Sequence, residues 1–338
     1  MTRLSPADAA PWSPGAAIAT AVTLTDTRLS SGAADPGRKA SACTTAPSDG
    51  FRHAPVDNLP VHPKSDQYVA STGSAAPLHP DFGSGLVEGR PFGIPLTATD
   101  TTVPESKVTL DYPEESDRSG YRIPPDARIE NGPASDGDRH VVVWDKALCK
   151  SYELFDAERQ GDNAWHAGSG AVFDLRSNAL RPDGWTSADA AGPAVLPGPA
   201  RYDEAAGGRI DHAIRITVPR SDRSCVWPAR HQAGSAADSA LPPLGLRLRL
   251  KRAVDTSGLA PQAKAVTDAL KKYGAIVADN GSPWYITGEE SPGWDHAQLN
   301  GLCPELLCDV LAGRGGPDTV RHHTWVLGTR PSTTGSRP

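Results

Sequence analysis

Acidic, imidazole, guanidinium and indole side chains gather between residues 140 and 231 of this 338-residue chain. Paired carboxyl groups beside an aromatic surface suit glycoside hydrolysis, in which the acids flank the scissile bond and the ring supports the sugar. A histidine base with a nearby arginine instead suits a polysaccharide lyase, which removes a proton beside a substrate carboxylate. The same groups suit a non-catalytic glycan-binding or cell-surface module. The spacing of the residues leaves these three alternatives open.

The candidate residues divide by chemical role. The candidates for acid, base or nucleophile are Asp174, Asp189, Glu153, His212 and His140. The candidates for substrate binding are Trp165, Trp185, Arg176 and Arg230, and Glu204 offers a further carboxylate. The expected ligand is a poly- or oligosaccharide, and the sequence predicts no metal ion and no cofactor.

Several candidates also have a purely structural interpretation. Asp174 alternates with packed residues and is typical of a solvent-facing side chain on a strand. His212 lies in an otherwise aliphatic row, as a hydrogen-bonded core histidine would. The loop 184–192 is compatible with a helix start that Thr186 or Ser187 caps. A serine hydrolase is disfavoured because no Gly-x-Ser-x-Gly elbow surrounds Ser187.

Strands must position these residues, because 33 glycines and 32 prolines divide the chain into short segments. Apolar runs and alternation predict strands at 108–112, 140–145, 150–156, 171–175, 210–218, 244–251, 275–278 and 284–286. Helices are predicted at 261–273 and 295–310. The expected fold is mainly β, a β-sandwich or jelly-roll-like domain with one or two peripheral helices. In the strand 244–251, the basic row of Arg247, Arg249 and Lys251 is expected to face solvent.

Composition excludes several classes of partner. A formal net charge of −6 offers no basic field for nucleic acid. No run approaches the roughly 18 apolar residues that span a bilayer, so no transmembrane segment is predicted. The five cysteines, at 43, 149, 225, 303 and 308, have no zinc-site spacing. A Cys149–Cys225 disulfide and free buried thiols are both compatible with the sequence, which gives no indication of the oligomeric state.

Three regions are expected along the chain. Residues 1–46 have too few large apolar side chains to offset the entropy of ordering, and we interpret them as a disordered tail or a degenerate export segment. Residues 47–310 are predicted to form a single β-rich domain. Residues 311–338 are rich in Gly, Pro, Thr, Arg and Ser and are predicted to be a flexible tail.

Seven short motifs resemble a large group of mostly exported bacterial proteins for which we know no demonstrated activity. They lie at 92–95 (FGIP), 121–127 (YRIPPDA), 138–143 (DRHVVV), 152–154 (YEL), 165–171 (WHAGSGA), 208–213 (GRIDHA) and 272–279 (KYGAIVAD). The resemblance covers roughly residues 47 to 300, and GRIDHA is its most recognisable mark. It implies a β-sandwich-like domain of the kind found in soil bacteria. It also implies a location outside the cell or in the cell envelope.

Overall fold

The computed structural model of the protein describes residues 43–87 and 89–302, and these form mainly strands. The strands are β1 (His79–Asp81), β2 (Leu86–Val87), β3 (Arg90–Pro91), β4 (Leu96–Thr99), β5 (Lys107–Leu110), β6 (Val141–Asp145), β7 (Lys150–Phe155), β8 (Glu158–Gly161), β9 (Ala164–Ala167), β10 (Ser169–Asp174), β11 (Ile214–Val218), β12 (Arg247–Leu248), β13 (Ala275–Asn280) and β14 (Tyr285–Thr287). The α-helices are α1 (Ser65–Thr72), α2 (Tyr202–Ala206), α3 (Pro261–Lys272) and α4 (His296–Leu299). The prediction of a mainly β chain is therefore confirmed.

A five-stranded sheet with the order β1-β14-β11-β13-β12 contains the largest core. Ile214, Ile216 and Val218 of the central strand β11 are buried in that core with the apolar side of helix α3. Helix α3 was predicted from its apolar stripe, and it ends before Gly274, whose φ of 73° suits a residue without a Cβ. Arg215 lies on the opposite face of β11, because side chains alternate along a strand.

A four-stranded sheet with the order β10-β7-β6-β4 lies at the centre of a second region. Strands β6 and β7 pair antiparallel, as the predicted hairpin requires. Val141 and Val143 pack in one buried cluster, whereas Val142 packs in another. Strand β6 is therefore buried on both faces, which explains its continuous apolar sequence.

Parallel and antiparallel pairs are mixed in the sheets. Strands β4 and β6 are parallel, and so are β11 and β13. A three-stranded sheet, β5-β9-β8, likewise has one parallel and one antiparallel pair. A jelly roll is wholly antiparallel, so these pairings do not reproduce that topology.

The basic row at 247–251 has a different role from the one predicted. Arg247 and Arg249 are half-buried, and their guanidinium groups donate to backbone carbonyls of the segment 51–59. Arg252 adds a contact to the same segment. The prediction of a solvent-facing basic row is therefore wrong for these arginines, which bind the irregular segment to β12.

One disulfide links Cys43 to Cys149, and Cys225 has a free thiol. The alternative Cys149–Cys225 pairing is therefore not formed. The bond attaches residues 43–46, which the sequence placed in the N-terminal tail, to the β6–β7 turn. The remainder of that tail and the predicted tail at 311–338 lie outside the described residues, as does most of the helix predicted at 295–310.

Across the described residues, every helix is too short or too polar to cross a membrane.

Candidate active site

The predicted site residues do not share one location. Trp165 is 1% exposed, packs in the core with Tyr121 and Tyr152, and has the Arg159 guanidinium 4.2 Å from its ring centroid. Its ring is closed to a sugar. Trp185 is half-buried, with the guanidinium of Arg181 5.2 Å from its ring centroid.

Two of the predicted acids lie apart from each other. Glu153 is fully buried and accepts hydrogen bonds from Ser151 Oγ at 2.7 Å and from the backbone N–H groups of Val195 and Leu196 at 2.8 and 2.9 Å. It anchors the loop at 195–196. Asp174 is exposed and accepts only a local hydrogen bond from a backbone N–H, at 3.0 Å.

The two predicted arginines contact backbone or surface groups. Arg176 is exposed and donates to the carbonyl of Leu148 at 2.9 Å. Arg230 donates to the carbonyl of Arg181 at 3.0 Å and pairs with exposed Asp183 at 2.8 Å. Arg230 and Asp174 both line one mostly apolar cavity.

His212 is a buried core histidine, as its structural interpretation held. Its Nε2 lies 3.1 Å from Glu204 Oε2, and its Nδ1 lies 3.1 Å from the carbonyl oxygen of Ala213. Burial lowers its pKa, although the Glu204 carboxylate acts in the opposite direction. A neutral ring that donates from Nε2 to Glu204 Oε2 fits both the lowered pKa and the contact with Glu204.

His140 and Asp189 belong to a different group of residues, most of which the sequence did not single out. We call it the acidic cluster, and its members are Asp81, Glu130, Asp138, His140, Asp189, Arg215 and Asp279. Each member interacts electrostatically with at least two others. Five of the seven carry a carboxyl group.

Strands of both large sheets position the cluster. Asp81 ends β1, where it is in register with Thr287 of β14. Arg215 on β11 donates to Thr287 Oγ1 at 2.9 Å. Asp279 follows a register shift in the pairing of β11 with β13, and such a bulge re-aims a side chain. His140 immediately precedes β6 of the four-stranded sheet.

The His140 ring is held between two acceptors. Its Nδ1 lies 2.6 Å from Glu130 Oε2, and its Nε2 lies 3.0 Å from the carbonyl oxygen of Ala188. Burial alone would lower the pKa of His140, but the charge and hydrogen bond of Glu130 raise it to about 9. Burial alone would raise the pKa of Glu130, but His140 lowers it below its ordinary value. The pair is therefore an imidazolium and a carboxylate at neutral pH.

Arg215 and Asp189 form the second ion pair. Asp189 Oδ1 accepts from Arg215 Nε at 2.8 Å and from Nη2 at 2.6 Å, and the two residues are 1% and 5% exposed. Burial alone would lower the pKa of Arg215, but Asp189 raises it. The other oxygen of Asp189, Oδ2, is buried and has no hydrogen-bond partner among the described residues.

The remaining three acids have raised pKa values. Burial, with a contribution from Glu130, raises the pKa of Asp81 to about 7. Burial, with a contribution from Asp189, raises that of half-buried Asp279 to about 7. The pKa of Asp138 is raised by burial, against the lowering effect of His140. Carboxyl groups in one site with pKa values displaced in opposite directions are typical of acid–base catalysis.

Asp81 and Asp138 are exposed to solvent although protein atoms around them penalise their charged forms. A depression of about 400 Å³ beside this region is lined by Ile129, Asn131, Arg128 and Arg159 among others, and by no member of the acidic cluster.

The backbone beside the cluster is strained. Asn131, which follows Glu130, has a φ of 56°, and Arg139, between Asp138 and His140, has a φ of 47°. Such values are uncommon for residues other than glycine, and they concentrate at functional sites. No three of the described acids, histidines and cysteines are arranged to hold one metal ion.

Part of the acidic cluster can be recognised from a pattern in the sequence. The polar residues 138–140 stand directly before the apolar strand β6, and Arg215 alternates with the aliphatic row of β11. For Asp81, the sequence offers no indication beyond its place directly after a proline. No match was found to any protein-family model, curated protein or solved structure.

Proposed function

We propose that the protein is a glycoside hydrolase whose reaction takes place at the acidic cluster. The observation that carries the proposal is the pair of solvent-exposed acids, Asp81 on β1 of the five-stranded sheet and Asp138 directly before β6 of the four-stranded sheet. Neither carboxyl group has a hydrogen-bond or salt-bridge partner within the described part of the chain. Both are therefore available to a ligand that enters between the sheets.

Glycoside hydrolysis needs one carboxylic acid that protonates the leaving oxygen and one carboxylate on the other side of the bond. Asp81, with its pKa raised to about 7, is the acid in this proposal. Asp138 is the carboxylate in this proposal: burial raises its pKa, and cationic His140 and Arg215 oppose that rise. The ion pairs His140–Glu130 and Arg215–Asp189 act on the two acids through their charges, and each pair is held by its own hydrogen bonds.

This arrangement also supports a sandwich-like relation of the two large sheets. Glu130 and His140 adjoin the four-stranded sheet, whereas Asp81 and Arg215 belong to the five-stranded sheet. We infer that the sheets form two layers and that the cluster lies where they meet. The loop that contains Asp189 joins them, because Ala188 contacts His140 and Asp189 contacts Arg215.

A location outside the cell or in the envelope is part of the proposal. The Cys43–Cys149 disulfide supports it, since such bonds persist in oxidising compartments. The resemblance to exported bacterial proteins has the same implication. Detection of the oxidised chain in the culture medium or periplasm would test it.

The decisive experiment measures sugar release from a panel of neutral, amino and uronic polysaccharides. We expect Asp81→Asn and Asp138→Asn to lower kcat by about 10²- to 10⁴-fold, the usual contribution of a general acid or base. Asp162→Asn, at an exposed acid in the β8–β9 turn, is the matched control and should keep full activity. Wild-type protein that binds a glycan but releases no sugar would instead be a binding module, and full activity of both variants would place the reaction elsewhere.

A further inference from the structure

A cavity of about 60 Å³ is lined by residues 45–52, by the end of β10 and the loop after it, by residues 192–197 and by Arg230, but by no member of the acidic cluster. Its lining is mostly apolar and includes the rings of Phe51 and Phe173. The charged lining residues are Arg52, Arg181, Arg230 and Asp174. Asp174 is exposed, so water screens its charge. The charges of the lining therefore favour an anion.

Arg52 provides unused hydrogen-bond donors at this cavity. It is 3% exposed, and its Nη2 donates to the carbonyl oxygen of Ala194, another lining residue, at 2.8 Å. Its Nε and Nη1 are buried and have no hydrogen-bond partner among the residues that the structure describes. Burial lowers the pKa of Arg52 to about 10, so the side chain is still cationic at neutral pH. Buried polar groups are normally paired, because an unmade hydrogen bond to a charged group is costly.

The carboxylates near Arg52 have other partners. Asp189 and Glu153 both act to raise the pKa of Arg52. However, Asp189 is paired with Arg215, and Glu153 accepts hydrogen bonds from a serine and two backbone N–H groups. A further cation, Arg247, has its own pKa lowered by burial and by Arg52. Three guanidinium groups therefore face two carboxylates in this region, and one negative charge would balance them.

The other two arginines of the lining already have carboxylate partners. Arg181 Nη1 lies 2.6 Å from Asp117 Oδ2, although its buried Nε is unpaired within the described part of the chain. Arg230 pairs with exposed Asp183 at 2.8 Å. Arg52 is therefore the lining cation whose donors are most available to a ligand.

We propose that this cavity binds a short-chain monocarboxylate, with the carboxylate at Arg52 and the hydrocarbon part against the apolar lining. A carboxylate only accepts hydrogen bonds and has a single negative charge, so it matches both the free donors and the charge excess. A cavity of about 150 Å³ is enough for benzene, and the smaller space here suits an acid of a few carbon atoms. This binding site is separate from the proposed hydrolase site.

Calorimetric titration of the full chain with sodium propionate and with propionamide tests the proposal. The two ligands have nearly the same shape, but only propionate is charged. At pH 7 and constant ionic strength, we expect propionate to bind at least about tenfold more tightly than propionamide, because hydrogen bonds to a charged acceptor are stronger.

Arg52→Met removes the guanidinium group and should lower the affinity for propionate by about 10- to 100-fold. Arg118→Met, at an exposed arginine outside the lining, is the matched control and should bind as the wild type does. Circular dichroism establishes that each variant is folded.

Ala194→Leu keeps every charge but fills part of the cavity, and it should abolish propionate binding even if Arg52→Met does not fold. Ala237→Leu, at an exposed alanine outside the lining, is its control. Equal affinity for propionate and propionamide, no binding of either because the cavity holds only water, or full affinity in Ala194→Leu would overturn the proposal. Sugar release without propionate binding would refute this inference and leave the hydrolase proposal standing. Propionate binding without sugar release would do the reverse.

Discussion

The same side-chain type acquires different chemistry at different positions in this protein. Glu153 is buried but satisfied by three donors, so it is a structural anchor. Glu130 is ionised by its imidazolium partner. Asp81 has neither donors nor a cation of its own, and its proton is held up to about pH 7. The surroundings, and not the residue type, identify the candidate acid.

This difference predicts the pH dependence of activity. If Asp81 must be protonated to donate to the leaving oxygen, kcat should fall as the pH rises through about 7. On its acid side the profile should fall where Asp138 becomes protonated. The pH profile of kcat for the wild-type protein checks this, and a rate that keeps increasing from pH 7 to 9 would rule out Asp81 as the acid.

The buried pair Arg215–Asp189 predicts a stability effect. Asp189→Ala leaves a buried guanidinium without its carboxylate, and we expect a loss of about 3–5 kcal/mol in the free energy of unfolding, measured with urea. The double variant Asp189→Ala, Arg215→Met should be more stable than the single variant because no charge is left unpaired. A single variant within about 1 kcal/mol of wild type would show that the charge is not buried in solution.

At the scale of elements, the sequence correctly predicted those strands and helices that depend on contacts between residues close together in the chain. Three predicted elements depend on local contacts: strand β5 with its period-two pattern, the hairpin β6–β7, and helix α3 with its apolar stripe. All three are present. The predicted strand at 210–218 begins only at Ile214, because residues 210–213 bond to other segments. Similarly, Arg247 and Arg249 alternate as solvent-facing residues do, but the segment 51–59 covers them.

His140 and Asp189 were predicted as site residues, but the cluster as a whole could not be predicted because its members come from six separate segments. Strand pairing within the five-stranded sheet brings Asp81 and Asp279 near Arg215, whereas Glu130 and Asp189 come from segments outside its strands. Pairings of that range leave no local pattern. Trp165 shows the converse, since an indole that suits a sugar platform proved to be the largest fully buried side chain.

The disulfide predicts how firmly the N-terminal segment is attached to the fold. Cys43 and Cys149 are 106 residues apart, and closing a loop of that length restricts the unfolded chain strongly. We expect Cys43→Ser with Cys149→Ser to lower the free energy of unfolding by about 2–5 kcal/mol. Denaturant titration of the oxidised wild type and the variant measures this. Cys225→Ser, at a free thiol, is the control, and an equal loss in that variant would contradict the prediction.

At the scale of the whole molecule, the acidic cluster links folding to pH. Asp81 and Asp279 have folded pKa values of about 7 against an ordinary value of 3.8, and the folded pKa of His140 is about 9 against 6.5. The folded protein therefore holds protons that the unfolded chain releases. Stability that depends on a raised pKa is complete below the unfolded value and is lost as the pH rises through the folded value.

The free energy of unfolding should therefore fall steadily from pH 5 to pH 9, with the aspartates acting up to about pH 7 and His140 between 6.5 and 9. The His140 part should be on the order of 3 kcal/mol, since each pKa unit corresponds to about 1.4 kcal/mol. Urea unfolding at constant ionic strength measures the slope, and His140→Gln should flatten it between pH 7 and 9. The depressed pKa of Glu130 opposes this trend only in acid, where stability is lost as the carboxylate is protonated. Stability that instead rises from pH 5 to 9 would mean that these carboxyl groups are ionised and paired in the folded protein. Asp81 could then not be the protonated acid of the proposed reaction.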